Sequence, residues 1–222
     1  MRFPLPLGDR RGGATLLSLF LFGLLNPALA SIVPITNFSQ FPQGWEARSF
    51  KGETDYTTVV HRGRQALEAY SESAASGLVR HHRVDLRSTP YLNWSWSVAN
   101  RLEVADERSK RGDDFSARVY VIFSTGPFFW QTRTLNYVWS NNQVQGTVWP
   151  NPYTGKSTMM ALRGPGDPIE NGQTEKRNVY EDIRRLTGEE IDEIKAVAIM
   201  TDTDNSGQQA RARYGRIYFS QQ

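Results

Sequence analysis

The most restrictive feature of this sequence is a period-two alternation of apolar and polar residues. In YLNWSWSV, residues 91–98, every second side chain from Leu92 to Val98 is apolar. The segment FSARVYVIFS, residues 115–124, repeats the pattern, with a mixed opposite face. Because successive side chains of a strand point to opposite faces, each segment predicts a strand with one buried side. Such strands are typical of antiparallel sheets.

Eight further segments favour strands. They lie at residues 45–49, 56–61, 65–70, 77–86, 134–139, 157–162, 195–201 and 211–219. A hairpin turn is predicted at Arg62-Gly63-Arg64, and a slip in the alternation around Gly215 predicts a bulge in the last strand. The pattern has no alternation of strands with helices. It therefore predicts an all-β fold, an antiparallel two-sheet β-sandwich of the jelly-roll type with one short helix.

That helix is predicted to lie between Asn178 and Gly188. Asn178 is a favourable N-cap, Glu181 follows three residues later as in a capping box, and Gly188 is a favourable terminator. Residues 99–114 mix both charge signs and predict a solvated connection. Residues 149–171 are rich in Pro, Gly and Asn and are predicted to be largely loop outside the strand at 157–162.

The first thirty residues have a different character. Three arginines precede the apolar stretch ATLLSLFLFGLL, residues 14–25, and Ala-Leu-Ala follows at 28–30. This is the layout of a secretory signal peptide, and its apolar core is too short to span a bilayer. We therefore expect residues 1–30 to be a signal and residues 31–222 to be a single domain. That domain would be periplasmic or secreted, with no membrane span after signal removal.

Charge and cysteine content exclude several classes of function. Residues 1–30 hold three arginines and one aspartate, so residues 31–222 keep 23 basic and 22 acidic side chains, a net charge of +1. A nearly neutral domain lacks the basic excess of a nucleic-acid-binding protein. The absence of cysteine excludes disulfides, thiol catalysis and Cys-ligated metals.

Other motifs do not satisfy the rules of the sites they resemble. Gly155-Lys156-Ser157 lacks the earlier glycine of a phosphate-binding loop, and Glu190-Ile191-Asp192 lacks the third carboxylate of a glycosidase strand because Lys195 takes its place. A basic group is interleaved with Glu68, Glu72 and Asp85, so it predicts a solvated face, although it could meet an acidic glycan or phosphate. That group is Arg62, Arg64, Arg80, His81, His82, Arg83 and Arg87.

The sequence TDTDNSG, residues 201–207, is a candidate metal-binding turn. Its alternate oxygen-bearing side chains before Gly207 match the first half of a helix–loop–helix calcium loop, whose twelfth position would here be Arg213 instead of glutamate. A second segment would have to supply the missing carboxylate. The candidate ligands of a calcium-type ion are Asp113, Asp114, Asp202, Asp204 and Asn205. The alternative is a hydrogen-bonded turn without an ion, since these residues form turns anyway.

Aromatic residues are dense between residues 127 and 153, among many amides. Sugars present an apolar face and a rim of hydroxyl groups, which aromatic rings beside hydrogen-bonding side chains can match. The candidate ligand-binding residues are Arg118, Tyr120, Trp130, Trp139, Trp149 and Tyr153. For Trp139, on an alternating segment, and for Trp149, before Pro150, the alternative is a role in the core.

The ordered motifs resemble a family of exported bacterial proteins, domain of unknown function 3047. The similarity covers Gly44-Trp45, YLNWSW (91–96), GDDFSARVYVIF (112–123), LNYVWSN (135–141), RNVYEDIRRLTG (177–188), AVAIMTDTDNSG (196–207) and ARARYGRIYF (210–219). The resemblance implies no activity or catalytic residue. It places eight polar or aromatic residues in the family's signature segments: Asp113, Asp114, Trp139, Arg177, Asp182, Asp202, Asp204 and Asn205.

Three functions are compatible with these observations. The first is a binding domain for glycan or cell-envelope polymer, with a structural calcium-type ion as its only candidate cofactor. The second is an envelope polysaccharide hydrolase or lyase that uses the Asp113/Asp114 and Asp202/Asp204 carboxylates as acid and base. The third is a structural or interaction protein without a small ligand. The sequence therefore leaves open whether the protein is an enzyme.

Overall fold

A computed structural model describes residues 31–222, so the predicted signal peptide lies outside the described residues. Residues 31–222 form fourteen strands and one α-helix. They are β1 (Ile32–Thr36), β2 (Glu46–Lys51), β3 (Asp55–His61), β4 (Arg64–Glu72), β5 (Ala75–Asp85), β6 (Tyr91–Val98), β7 (Arg118–Ser124), β8 (Thr132–Trp139), β9 (Val148–Pro150), β10 (Ser157–Arg163), β11 (Gln173–Asn178), α1 (Val179–Thr187), β12 (Glu193–Asp202), β13 (Gln209–Tyr214) and β14 (Ile217–Ser220).

The strands form two seven-stranded sheets that pack as a β-sandwich. The first sheet has the order β1-β14-β6-β13-β4-β3, with β11 paired to the other edge of β6. The second has the order β2-β5-β12-β7-β8-β10-β9. Pairing is antiparallel except between β8 and β10, which run parallel. The predicted sandwich is thus confirmed, and its second sheet is mixed where a purely antiparallel one was expected.

Aromatic side chains fill the space between the sheets. Trp94 and Trp96 of β6 are 1% exposed, and the Trp94 ring stacks on Tyr137 of β8 with centroids 5.4 Å apart. Trp96 meets Trp139 edge to face at 5.7 Å. Fully burying one such large apolar side chain contributes about 1.5–3 kcal/mol. The alternation in β6 and β8 therefore directs the aromatic residues into one core.

Helix α1 is attached to this core by a buried carboxylate. The side chain of Asn178 accepts a hydrogen bond from the Glu181 N–H, and Gly188 ends the helix with φ of 75°. Asp182 accepts from the Tyr137 hydroxyl at 2.8 Å and from Arg177 Nε at 2.8 Å. Burial, followed by the Asp182 charge, raises the pKa of Tyr137 well above its ordinary value, so the phenol remains a donor. The predicted helix and both of its ends are confirmed.

The sequence prediction missed some strands and merged two others. Strands β1, β9 and β11 were not predicted, and the predicted strand at 211–219 is two strands. The chain breaks near Gly215, whose N–H donates to the Ser95 carbonyl at 2.8 Å. Strand β13 then pairs with β4 and β6, whereas β14 pairs with β6 and β1.

The segment 99–114 is packed in part, where its charges predicted a solvated connection, and residues 108–111 are exposed. Leu102, Asp113 and Asp114 are buried, and Glu107 is fully buried. The Glu107 carboxylate accepts from the Ser140 hydroxyl and from the Asn141 N–H at 2.7 Å. Part of the connection between the sheets is therefore buried. No helix within residues 31–222 is long and apolar enough to cross a membrane.

Candidate functional site

A cleft of about 410 Å³ lies on the face of the second sheet that points away from the core. Val119 and Val121 of β7 point into the core, so the alternate residues Arg118 and Tyr120 face the cleft. The turn after β12 and the segments before β7 and after β9 form its rim. The lining residues are Phe50, Ala75, Asp113, Arg118, Tyr120, Thr134, Asn136, Asn151, Tyr153, Thr154, Ser157, Met200, Asp202, Asp204 and Asn205.

Arg118 and Asp202 form a buried ion pair in the floor of the cleft. Arg118 Nε donates to Asp202 Oδ1 at 2.8 Å, and Nη2 donates to Asp202 Oδ2. Nη2 also donates to the Asp113 carbonyl at 2.5 Å, and the guanidinium stacks on the Phe115 ring at 4.4 Å. Burial alone would lower the pKa of Arg118, but the Asp202 charge raises it well above its ordinary range. The guanidinium is buried and lines the cleft with its Nε and Nη2 groups already donating to Asp202 and Asp113.

Asp114 closes the turn that follows β12. Its Oδ1 accepts from the N–H of Asn205 at 3.2 Å and from Asn205 Nδ2 at 3.1 Å. Its Oδ2 accepts from the Ser206 N–H at 2.6 Å. These contacts match the hydrogen-bonded turn that was the alternative to an ion site.

The predicted metal ligands converge, but they have other partners. Carboxylate oxygens of Asp114, Asp202 and Asp204 lie within 4.8 Å of one another. Both oxygens of Asp114 and both of Asp202 already accept from nitrogen donors, as described above. Asp204 accepts from Asn205 Nδ2 at 3.3 Å through one oxygen only. The residues fit a cation in part, because one oxygen of Asp204 has no hydrogen-bond partner among residues 31–222. Arg118 already supplies a positive charge to Asp202, which reduces the need for an ion.

Asp113 is a buried carboxyl group of the cleft that is only partly paired. Its Oδ2 accepts from Asn151 Nδ2 at 3.0 Å. Its Oδ1 lies 3.4 Å from Arg118 Nη1 and has no hydrogen bond within residues 31–222. Burial raises the pKa of Asp113, although the charge of Arg118 opposes this shift. Such a carboxyl group can hold a proton at higher pH than an exposed aspartate does.

Two of the predicted aromatic residues line the cleft. Tyr120 is half-buried, and its hydroxyl donates to the sulfur of Met200 at 3.3 Å. Burial raises the pKa of Tyr120 out of the physiological range. Tyr153 is 56% exposed, and its hydroxyl contacts the Lys110 carbonyl at 3.0 Å and Asn205 Oδ1 at 2.7 Å. Tyr153 therefore extends the rim across the turn after β12.

Trp139 and Trp149 are core residues. Trp139 is 1% exposed between the sheets, as the alternative interpretation of its segment expected. Trp149 is 5% exposed and packs with Phe115, Val138 and Met159 in a second, smaller core on the outer side of the second sheet. Neither ring lines the cleft.

Trp130 is exposed but does not line the cleft. It lies in the β7–β8 connection and is 53% exposed. Its ring stacks on Phe128 with centroids 4.5 Å apart, and Phe129 meets it edge to face at 5.2 Å. The structure therefore separates Trp130 from the other predicted ligand-binding residues.

Several cleft residues were not predicted. Asn136 is on the polar face of β8, where its Nδ2 donates to the Ser157 hydroxyl and its Oδ1 has no partner within the described part of the chain. Phe50 is 77% exposed on β2. Alternation in β8 could have indicated Asn136, because its neighbours Leu135 and Tyr137 point into the core. No sequence signal marks Phe50, because every residue of β2 is exposed.

A family model described as "Protein of unknown function (DUF3047)" matches residues 43–218. None of the curated proteins searched matches the sequence. Solved structures give fold similarities at low sequence identity.

One similar structure is a family 30 carbohydrate-binding module of a cellulosomal cellulase of Clostridium thermocellum. It is 10% identical, with 85% of this chain and 96% of that chain covered and a TM-score of 0.50. A cellulase derived from the Cel12A enzyme of Rhodothermus marinus is 11% identical over 86% of this chain and 100% of that chain, with a TM-score of 0.47. A xyloglucanase domain of NopAA from Sinorhizobium fredii is 10% identical over 87% and 99%, with a TM-score of 0.46. The first similarity supports the β-sandwich fold, and the other two are weaker.

Proposed function

The chain belongs to the family described as protein of unknown function (DUF3047), and because that description names no activity, we propose from the cleft itself that the protein binds glycan. The observation that carries the proposal is the composition of the cleft, in which aromatic rings and uncharged hydrogen-bonding groups share one concave surface. The volume of about 410 Å³ falls in the usual range for small-ligand sites. The fold shared with a carbohydrate-binding module is compatible with this function.

The rim supplies apolar contact area and the floor supplies hydrogen-bonding groups. Phe50 and Tyr153 are exposed aromatic residues at the rim, suited to the CH face of a sugar ring. Thr134, Asn136 and Ser157 contribute hydroxyl and amide groups along β8 and β10. These groups both donate and accept, as sugar hydroxyls do.

The charge of the lining favours an uncharged glycan. Asp113, Asp202 and Asp204 line the cleft with a single cationic side chain, Arg118. Because Arg118 is paired with Asp202, the remaining carboxylates would repel an acidic polysaccharide. Neutral glycans avoid this repulsion and can donate hydroxyl groups to the carboxylates.

The test is affinity electrophoresis of the protein against soluble neutral and acidic polysaccharides, followed by calorimetry with the best binder. Phe50→Ala and Tyr153→Ala should each weaken binding of a neutral glycan by about tenfold or more, the loss expected for an aromatic anchor. Phe129→Ala, an exposed aromatic residue outside the cleft, is the matched control and should leave affinity unchanged.

Two results would contradict this proposal. A loss with Phe129→Ala but not with Phe50→Ala or Tyr153→Ala would place binding at the β7–β8 connection near Trp130. Absence of binding to every polysaccharide, with and without calcium, would favour the third function, an interaction protein without a small ligand.

The proposal also includes a calcium-type ion bound at the turn after β12. Its support is the convergence of Asp114, Asp202 and Asp204. Because nitrogen donors occupy the first two, an ion would depend chiefly on the free oxygen of Asp204. Calcium should then raise the melting temperature of the natural protein but not that of Asp204→Asn. Equal melting temperatures with calcium and with chelator would exclude a stabilising ion.

A hydrolase or lyase is the second candidate function, and Asp113 is the observation that favours it. Its raised pKa, buried position and place in the cleft suit a general acid. Asp113→Asn should abolish release of reducing ends from a bound glycan while binding persists. If a glycan that binds is not cleaved by the natural protein, the site is for binding only.

Export and domain organisation complete the proposal. We expect cleavage after Ala30 and a periplasmic or secreted domain of residues 31–222. Fractionation of the producing cells and N-terminal sequencing of the recovered protein test this. A chain that retains its first thirty residues in the cytoplasm would contradict it.

A further inference from the structure

A second cavity, of about 400 Å³, lies on the outer face of the first sheet. Leu67 and Ala69 of β4 point into the core, as do Ala212 and Tyr214 of β13. The alternate positions of these strands therefore face outward, on the side of the sandwich opposite the cleft. The cavity is thus separated from the cleft by both sheets.

The lining of this cavity is basic. Arg62, Arg64, Arg213 and Arg216 line it together with His61, and no aspartate or glutamate is among its lining residues. The sequence predicted a solvated face for Arg62 and Arg64. Both side chains are exposed, as predicted. The structure also brings them together with Arg213 of β13 and with Arg216, which lies between β13 and β14, about 150 residues later in the chain.

Most of this positive charge is not neutralised. Arg64 and Arg216 form no salt bridge within residues 31–222, and Arg216 stacks on the Tyr218 ring at 4.5 Å. Arg62 Nη2 donates to the uncharged Asn171 Oδ1 at 2.7 Å. Arg213 Nε donates to Glu68 Oε2 at 2.9 Å, but that carboxylate also pairs with Arg211. The single negative charge of Glu68 is therefore shared between Arg211 and Arg213.

We propose that this cavity binds a small oxyanion, the phosphate or carboxylate group of a sugar-sized molecule. Guanidinium groups bind both oxyanions through paired N–H donors, and four of them line this cavity, with Glu68 as the partner of Arg213 alone among the four. The cavity is near the lower end of the range for small-ligand sites, which suits a compact group. The inference is independent of glycan binding in the cleft.

His61 offers a direct readout of occupancy. Its Nε2 has no hydrogen-bond partner within the described residues. Burial, followed by the positive charges of Arg213 and Arg62, lowers the pKa of His61. An anion among these arginines would offset their charge and raise this pKa. The chain has only two other histidines, His81 and His82, so the His61 resonance can be assigned by substitution.

The experiment is a titration of the full chain, at constant ionic strength, with inorganic phosphate, glucose 1-phosphate, glucuronate and neutral glucose. Calorimetry and the His61 ring resonances measure binding. We expect saturable binding of at least one anion and no binding of glucose. Comparison of the two phosphate ligands with glucuronate shows whether phosphate or carboxylate is preferred. Arg64→Gln and Arg216→Gln should each weaken binding by about tenfold or more, as expected for one lost charge-assisted hydrogen bond.

Arg83→Gln is the matched control, because it removes an equal charge from an exposed side chain of β5. Its affinity for the anion should stay within about twofold of the natural protein. No saturable binding of any anion at millimolar concentration would overturn the proposal. An equal loss in Arg83→Gln, or unchanged affinity in both Arg64→Gln and Arg216→Gln, would also overturn it.

Discussion

Arg118 of β7 and Asp202 of β12 face each other across neighbouring strands, with Nε 2.8 Å from Oδ1 and both side chains less than 5% exposed. The pair joins the centre of the second sheet to the turn that follows β12. Asp113 lies against the same guanidinium at 3.4 Å. One buried cation thus neutralises two carboxylates that would otherwise repel each other in the floor of the cleft.

Arg118→Met should destabilise the protein strongly. It leaves Asp202 buried without its partner, and breaking a buried pair from one side costs about 3–5 kcal/mol. Urea unfolding at pH 7 measures the loss. Arg83→Gln, which breaks the exposed pair with Glu193, should cost less than about 1 kcal/mol. Equal stability of Arg118→Met and the natural protein would show that the buried pair contributes nothing.

Trp149→Ala should lower stability without altering ligand affinity. The indole packs with Phe115 and Met159, so its removal should cost about 3–5 kcal/mol of the free energy of unfolding. Affinity for glycan, measured on the folded protein at low temperature, should be unchanged. A selective loss of affinity at unchanged melting temperature would restore the ligand-binding role that its burial argues against.

Glu107 should make stability depend on pH. Burial raises its pKa above the ordinary value of 4.5, despite hydrogen bonds from Ser140 and Asn141. The unfolded chain releases this proton near 4.5, whereas the folded chain holds it to higher pH, so the free energy of unfolding falls as pH rises through this window. Urea midpoints from pH 4 to 7 should fall less steeply in Glu107→Gln.

Glu103→Gln is the control for that series, because Glu103 is exposed in the same segment. It should reproduce the slope of the natural protein. If Glu107→Gln also reproduces that slope, the carboxyl group titrates normally in the folded state.

Gly112→Ala should disturb the segment that positions Asp113 and Asp114. A Cβ at residue 112 would lie 2.4 Å from the backbone oxygen of Asp106, which cannot move without shifting the segment. We expect a loss of about 1–3 kcal/mol in urea unfolding, together with weaker glycan binding. Gly155→Ala, where the added carbon meets nothing within 4 Å, should change stability by less than about 1 kcal/mol.

The sequence predicted elements whose residues alternate or carry clear end signals. Strand β6 was predicted with its observed bounds because one of its faces is apolar throughout. Helix α1 was predicted from the side chain of Asn178 and from Gly188. Strand β11, with the sequence QTEKRN, has no apolar alternation; it is a strand because it pairs with β6 along its whole length. Such tertiary pairing leaves no local signal.

The candidate site could be predicted only in part for a related reason. Turn-forming residues at 201–207 indicated the acidic turn, and Asp113 and Asp114 were correctly placed near it. The burial of Glu107 and the role of Arg118 as the common cation of Asp113 and Asp202 depend on packing between distant segments. Charged residues are normally exposed, so the charges of residues 99–114 predicted solvent exposure. The fold instead buries some of these side chains, such as Glu107.

The floor of the cleft and the stability of the second sheet rest on the same side chains, and this limits how ligand preference can evolve. A substitution of Arg118 or Asp202 breaks the buried ion pair and should therefore cost stability, whatever it does to ligand preference. Phe50 and Tyr153 lie at the exposed rim and take part in no buried ion pair within residues 31–222. Substitutions that change specificity should therefore accumulate at the rim, while the residues of the floor stay constant.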